Sequence, residues 1–303
     1  MRDLNIIIVN FNGKALLERL LPSLKSFYLD QCVFEVGVVV VDNASSDDSV
    51  SFLSTLPYID LVQSATNGGF SYGNNLGIRN FPARNYFLLN SDTEFLAEVS
   101  NPDVLLSYLK EHPKTAIVTP KVLLADGKLD EACHRGEPSP WAAFCYLSGL
   151  EKWLGKFSLF GKYHLKHLNL NEIHTIDACS GAAMMVRGEA VEKVGLLDER
   201  FFMYAEDLDW CKRFRDTGWD IVYYPQVEII HHKYASGLGH QQVKQQITSQ
   251  YYFYQTMLQY LDKHYRNAPL FLVRWVLKWK LSRIESRMRD IDKSPPTDGV
   301  RLG

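Results

Sequence analysis

The chain lacks an excess of either charge. Its 33 Lys and Arg stand against 35 Asp and Glu, a formal net charge of −2. No global field therefore draws it to nucleic acid, whose recognition rests on a basic surface. Long apolar runs are also missing. No stretch reaches the ~18 to 20 residues that a membrane-spanning helix needs. The first residues, Met1-Arg2-Asp3, lead at once into a strand-like run with no apolar leader segment, so the expected setting is cytoplasmic. Cysteine is sparse: Cys32, Cys133, Cys145, Cys179 and Cys211 are five, widely spread, with no C-x-x-C pair. That excludes a disulfide framework and a cysteine zinc site, and leaves buried or free thiols in a reducing compartment. A G-x-G-x-x-G dinucleotide fingerprint is absent too.

What remains is an ordinary globular composition, 46% hydrophobic and 22% charged, enough to bury a sizeable core. The first part alternates strand and helix. Leu4–Val9, Val36–Val41, Ile59–Gln63 and Tyr86–Leu89 are short apolar runs, typical of parallel strands covered on both faces. Between them, Ala15–Phe27 and Asp48–Thr55 carry helical spacing. The pattern predicts an α/β fold with a mostly parallel sheet and helices on both faces. Ligands of such sheets bind beyond the carboxyl ends of the strands. Three of the most polar turns lie there: Asp42 to Ser46, Asn67 to Asn75 and Asn90 to Thr93. Lys121 to Ile176 reads as long loops with short helices, rich in aromatics. Helices follow over Glu189–Val194 and from about Glu206 to Asp216, then a strand over Ile221–Tyr224 and a long helix over Gln241–Tyr265.

The ordered segments Ile8-Val9-Asn10-Phe11-Asn12, Val40 to Asp47, Asn67 to Asn75, Leu88 to Thr93, Ser180-Gly181-Ala182, Phe201 to Trp210 and Ile230-His231-His232 together resemble family 2 glycosyltransferases of the GT-A fold. The similarity is to the branch of rhamnosyltransferases and galactofuranosyltransferases, and it covers about residues 4 to 237. It implies a Rossmann-like catalytic domain over 1–238, with the nucleotide sugar held mainly by 1–95 and the acceptor by 96–238. A helical region over 239–293 and a tail over 294–303 follow. It implies donor contacts from Asn10, Asp42 and Asn43, from Gly69, Phe70 and Asn74, and from Asn90 and Asp92. Gly181 and Glu206 would face the donor sugar and acceptor.

The same resemblance assigns a divalent ion, Mg²⁺ or Mn²⁺, to Asp92 and His231, with His232 as the alternative ligand. A hard ion between carboxylate and phosphate oxygens suits a departing diphosphate. Where the family carries two aspartates this chain has Asn90-Ser91-Asp92, with one carboxylate. Asp207 would be the general base of an inverting displacement through an oxocarbenium-like transition state. The residues alone allow blander readings. Asp42 could cap the next helix, Asn90 to Asp92 could be an Asx turn, and Glu206-Asp207 could serve the helix dipole. Asp209 and Arg213 read as a surface i,i+4 pair.

The resemblance thus implies transfer from a dTDP-rhamnose or UDP-hexose type donor to a saccharide or lipid-linked acceptor in surface-glycan synthesis. Two rivals are a nucleotidyltransferase, whose basic glycine-rich signature loop Asn10-Phe11-Asn12-Gly13 does not match, and a sugar-nucleotide-binding protein without turnover. Near the C-terminus, Phe271, Trp275 and Trp279 alternate with Arg274, Lys278 and Lys280, with Arg283, Arg287 and Arg289 beyond. This stretch, 270–289, could lie on the inner face of a membrane, or pack on the protein or on a second subunit of a homodimer. Periodicity does not choose between them.

Overall fold

A computed structural model describes residues 1–233, 240–266, 268 and 270–293. They fall into two compact units: 1–200 with 206–233, and 201–205 with the described part of 234–303. The expected boundary at 238 and the tail over 294–303 lie outside the described residues.

The larger unit opens with β1 (Leu4–Asn10), α1 (Lys14–Leu24), β2 (Val36–Asp42), α2 (Ser49–Leu53) and β3 (Ile59–Gln63). These follow the predicted alternation to within a few residues. A π-helical turn over Lys25–Leu29 completes the first helix. Then come α3 (Gly69–Asn80), β4 (Asn85–Asn90), β5 (Thr93–Phe95), α4 (Pro102–Glu111) and β6 (Thr115–Leu124). Asn101 caps α4 by accepting from the Asp103 N–H, with proline next in the chain, a start signal favoured at both positions. After α5 (Pro140–Ser148) and α6 (Leu150–Leu154), the chain returns through β7 (His174–Thr175), β8 (Ala183–Arg187), α7 (Gly188–Val194), α8 (Glu206–Asp216) and β9 (Asp220–His231).

The sheet runs in the order β3-β2-β1-β4-β8-β6-β9-β5, with β7 paired to β9. β3, β2, β1 and β4 are parallel, as are β6 and β9; β8 runs antiparallel to both β4 and β6. The core is the interior of this sheet: Ile6, Ile7, Ile8, Val39, Val40, Phe87 and Leu88 are fully buried. Register places the polar strand ends side by side, Asn10 opposite Asp42 and Val9 opposite Asn90. Helix α3 packs unusually close to β1. A Cβ at Gly73 would come within 2.7 Å of Val9, and one at Gly77 within 2.8 Å of Ile7. Glycine is what permits that approach, and it seats the start of α3 directly over the strand ends.

Two expectations change here. Lys121–Leu124 are the end of β6 rather than loop, because they pair in register with β9, Lys121 opposite Glu228 and Leu124 opposite His231. Asp209 and Arg213 are not a surface pair. Asp209 is fully buried and accepts from Arg213 Nε at 2.9 Å, while the same guanidinium donates to the carbonyls of Val194 and Leu196. The pair ties α8 to the end of α7, which the i,i+4 spacing could not reveal.

The smaller unit holds the antiparallel pair α9 (His240–His264) and α10 (Phe271–Lys293). Leu261, Leu270 and Leu277 form its buried centre, with Tyr254, Met257, Leu258 and Val273 packed around them. Each such burial stabilises by roughly 1.5–3 kcal/mol. Arg274 fastens the connection, donating to Asp262 at 2.9 Å and to the Tyr265 carbonyl at 2.9 Å. The other face of α10 leaves Phe271, Leu272, Trp275 and Trp279 exposed. Among the described residues, no helix is long and apolar enough to cross a membrane.

Candidate active site

The carboxyl edge of β1, β2 and β4 is a hydrogen-bonded polar floor. Asn10 Nδ2 donates to Asp42 Oδ1 at 3.0 Å and to Ser45 Oγ at 3.1 Å, and Asp42 Oδ2 accepts from the Ser45 N–H at 2.9 Å. Asp42 is not a helix cap, since α2 begins only at Ser49 with Asp48 at its cap position. Each carboxylate oxygen retains a further acceptor position. Asn43 Nδ2 donates to Asn67 Oδ1 at 2.9 Å and to the Gly69 carbonyl at 3.1 Å, and Asn43 Oδ1 accepts from the Gly68 N–H. This braces the glycine turn that begins α3. Gly69 has φ 86°, a left-handed conformation cheap only for glycine. Asn74 donates to the Phe70 carbonyl at 3.0 Å. A Cβ at Gly181 would come within 2.7 Å of the Phe70 ring, so that ring lies directly against the Gly181 backbone. Two buried atoms in this group, Asn10 Oδ1 and Asn74 Oδ1, have no hydrogen-bond partner. Such orphans are costly in a dry interior and common where a ligand completes the set.

At the next edge stand Asn90, Asp92 and His231. His231 ends β9, and its Nε2 lies 3.1 Å from Asp92 Oδ1 and 3.3 Å from Asn90 Nδ2. Its other nitrogen, Nδ1, lies 2.8 Å from Asp130 Oδ2. Asp130 is buried, and its second oxygen receives Lys233 Nζ at 2.7 Å and the Ala132 N–H at 3.0 Å. Burial pushes the His231 pKa down, but the hydrogen bonds to Asp130 and Asp92 outweigh it and carry it up to about 9. Burial works against the Asp130 carboxylate, and its bonds to His231 and Lys233 more than compensate, so its pKa falls below the usual range. His232 turns elsewhere, to Glu94 Oε2 at 2.7 Å. The imidazole placed against the Asp92 carboxylate is therefore that of His231, while His232 meets Asp92 through its backbone N–H, 2.9 Å from the Asp92 carbonyl.

Among the described residues there is no group of three or more His, Cys, Asp or Glu side chains that could hold a metal. Asp92 and His231 nonetheless fit a divalent ion of the kind held by one or two protein groups, with phosphate and water completing its shell. An imidazole held by a buried carboxylate at Nδ1, with Nε2 directed at a second carboxylate, is the usual dress of a metal-binding histidine.

Glu206 begins α8 with Asp207 next to it, and both are buried. Arg135 Nη2 donates to Asp207 Oδ2 at 2.5 Å, and Asp207 Oδ1 accepts from the Leu208 N–H at 2.7 Å. The guanidinium and the Leu208 N–H together fix the orientation of this carboxylate. Glu206 has the opposite environment: its Oε2 is buried without a partner. Burial first, then the neighbouring Asp207 charge, push its carboxyl well above the usual range. Two adjacent acids with such different partners, one paired with a guanidinium and one with an unpartnered buried oxygen, suit divided roles. The preceding Tyr204 and Ala205 both have positive φ, 69° and 61°, strain of a sort concentrated at functional sites. Dipole stabilisation alone would not require burying either acid.

Comparisons with known proteins identify the family and the fold. A family model described as Glycosyltransferase like family 2 matches residues 2–252. The chain belongs to that family. This glycosyltransferase is 28% identical over 239 residues to the low-salt glycan biosynthesis hexosyltransferase Agl10 of Haloferax volcanii, covering 76% of this chain and 67% of that protein. It is also 28% identical over 244 residues to an N-acetylglucosaminyl-diphospho-decaprenol L-rhamnosyltransferase of Mycobacterium tuberculosis, covering 76% of each. Among solved structures it superposes on a mannosyltransferase from Pyrobaculum calidifontis in complex with GDP-Man and Mn²⁺. The TM-score is 0.56 at 16% identity, covering 97% of this chain and 76% of that one. The fold of the glycosyltransferase is accordingly GT-A.

Asp130, Arg135 and Lys233 gave no signal in the sequence. Asp130 and Arg135 lie in the stretch without periodicity, and each reaches its partner only through tertiary structure, across 101 and 72 residues.

The environment of Glu206 yields a stability prediction. A carboxyl whose folded pKa is raised stabilises the fold fully below its unfolded value of 4.5, and that contribution is lost as pH rises through the folded value, about 8. Glu206→Gln mimics the protonated form and removes this titration. The melting temperature of the wild type should fall relative to Glu206→Gln between mildly acidic and alkaline pH. A difference constant with pH, measured by differential scanning fluorimetry, would mean that Glu206 is ionised throughout.

Proposed function

We propose that the enzyme moves a hexosyl or rhamnosyl group from a nucleoside-diphosphate sugar to a hydroxyl of a saccharide or lipid-linked acceptor, with inversion. The observation that carries this reading is the pair of sites in one unit. One is a carboxylate, Asp207, held on Arg135; the other is the junction of Asp92 and His231 beside the floor of Asn10, Asp42 and Asn43. The floor accepts from base and ribose, and the start of α3 offers backbone N–H groups to phosphate. Asp92 and His231 would hold Mg²⁺ or Mn²⁺, which when bound neutralises charge on the departing diphosphate. Asp207 accepts the proton of the acceptor hydroxyl as its oxygen bonds to the anomeric carbon and the sugar–phosphate bond breaks. The neutral Glu206 can donate a hydrogen bond to sugar or acceptor without repelling the diphosphate. One displacement and one base give inversion.

The names of the two curated relatives support rhamnosyl or hexosyl transfer and, for the mycobacterial protein, a diphospho-decaprenol acceptor. A lipid-linked acceptor also gives the exposed face of α10 a use at a membrane surface. The test is a panel of dTDP- and UDP-sugars with Mn²⁺, read first by thermal shift and then by transfer to a polyprenyl-diphosphate-linked saccharide. One donor should raise the melting temperature by mass action, and its product should carry the opposite anomeric configuration by NMR. Retention of configuration would remove the single-base mechanism.

A further inference from the structure

Helix α5 is built inside out. Among its described side chains the buried ones are the small Ala142 and Cys145, each 1% exposed, while Trp141, Phe144 and Tyr146 face solvent. The display continues beyond it. Trp153 on α6 is 89% exposed and Phe157 64%, with Leu159 also exposed. The α5 aromatics of this display are held by neighbours. Trp141 Nε1 donates to the Leu159 carbonyl at 2.8 Å, and its ring lies 5.6 Å from Phe144 and 6.1 Å from Phe160. Glu151 secures α6 by accepting from the His164 backbone N–H at 3.0 Å, with its other oxygen 2.8 Å from the His164 ring. A monomer rarely exposes so many large apolar side chains in one stretch of chain without a partner.

Charge selects the partner. Between Pro138 and Leu168 the acidic side chain is Glu151 alone, buried against His164, while Lys152, Lys156, Lys162 and Lys166 are exposed. Lys166 approaches Glu131 at 3.7 Å. A second copy of this chain meeting the patch across a two-fold axis would set lysine against lysine. An anionic bilayer satisfies both features, because exposed aromatics enter the interface and lysines meet the headgroups.

We propose that this aromatic and lysine surface, centred on Trp153 and Phe157, docks the catalytic unit on an anionic membrane, independently of α10. It also leads to the base. The Tyr146 ring lies 5.4 Å from Tyr163, and Tyr163 lies against Arg135, the partner of Asp207. An acceptor headgroup at the bilayer would thereby be brought toward Asp207. This last step rests on the lipid-linked acceptor reading, whereas docking itself does not.

The test is flotation of the full chain with vesicles of phosphatidylcholine plus phosphatidylglycerol, and of phosphatidylcholine alone, at low and high salt. The wild type should float with the anionic vesicles and be released by salt. The double variant Trp153→Glu with Phe157→Glu, whose side chains are exposed and whose melting temperature should match the wild type, should lose at least ~10-fold in partitioning. Lys152→Glu with Lys156→Glu should lose the salt-sensitive part. Transfer to a water-soluble saccharide acceptor should be unchanged in the aromatic variant, so failure of docking and failure of the transferase reading give different results. Flotation unchanged by both double variants would overturn the proposal. So would a concentration-dependent wild-type dimer, seen by sedimentation and abolished in the aromatic variant, which would assign the surface to a second copy.

Discussion

Replacing Asp207 by Asn should lower turnover at least ~10²-fold while leaving donor affinity nearly unchanged. Asparagine keeps the shape and still accepts a hydrogen bond, but it cannot take a proton. The variant should also be less stable, because Arg135 is largely buried and loses its counter-charge. Breaking such a pair costs roughly 3–5 kcal/mol. The two effects are separable. Pairing Asp207→Asn with Arg135→Met removes both charges and should recover much of the melting temperature without recovering turnover. Recovery of both would make the carboxylate structural. Normal transfer by Asp207→Asn, with loss in Glu206→Gln, would place the base one residue earlier.

The degree to which this site is legible in sequence varies with how local its causes are. Asn10, Asp42 and Asn90 could be placed together because strand periodicity fixes where each run ends, and a parallel sheet aligns those ends. His231 could be chosen over His232 only by analogy. Strand alternation puts the two on opposite faces, but which face meets Asp92 depends on how β9 pairs with β5 and β6. Helix α4 was not anticipated. The environment of Asp207 was illegible altogether. Nothing near Arg135 marks it as the partner of a residue on α8, and charge spacing suggested a surface role for Asp209 that tertiary burial reverses. The apolar face of α10 was ambiguous for a related reason. Periodicity reports that a face is apolar, and here Leu270 and Leu277 are taken up by α9 while Phe271 and Trp275 are not.

Exhaustive chelation should abolish transfer, and Mn²⁺ or Mg²⁺ should restore it. The loss should exceed ~10²-fold if a divalent ion neutralises the leaving diphosphate. Asp92→Asn should show a similar loss that added metal does not rescue, because with Asn90 already in place this edge would have no carboxylate left. Asp130→Asn should behave differently. Asp130 sits behind His231, where it fixes the ring and strengthens Nε2 as a donor. Lys233 is half exposed and can turn to water when its partner is neutralised, so the fold should survive. The expected result is a ~10- to 100-fold rise in the metal concentration needed for half-maximal rate. Turnover at saturating metal should stay near the wild-type value. Mn²⁺ binding followed by electron paramagnetic resonance, with nucleoside diphosphate present and no turnover, reads the same shift without relying on activity. Full activity after chelation would remove the ion from the mechanism and leave the junction of Asp92, His231 and Asp130 to hold the diphosphate by the charge of the imidazolium. In that case Asp92→Asn and Asp130→Asn should weaken donor binding by similar factors, with or without metal.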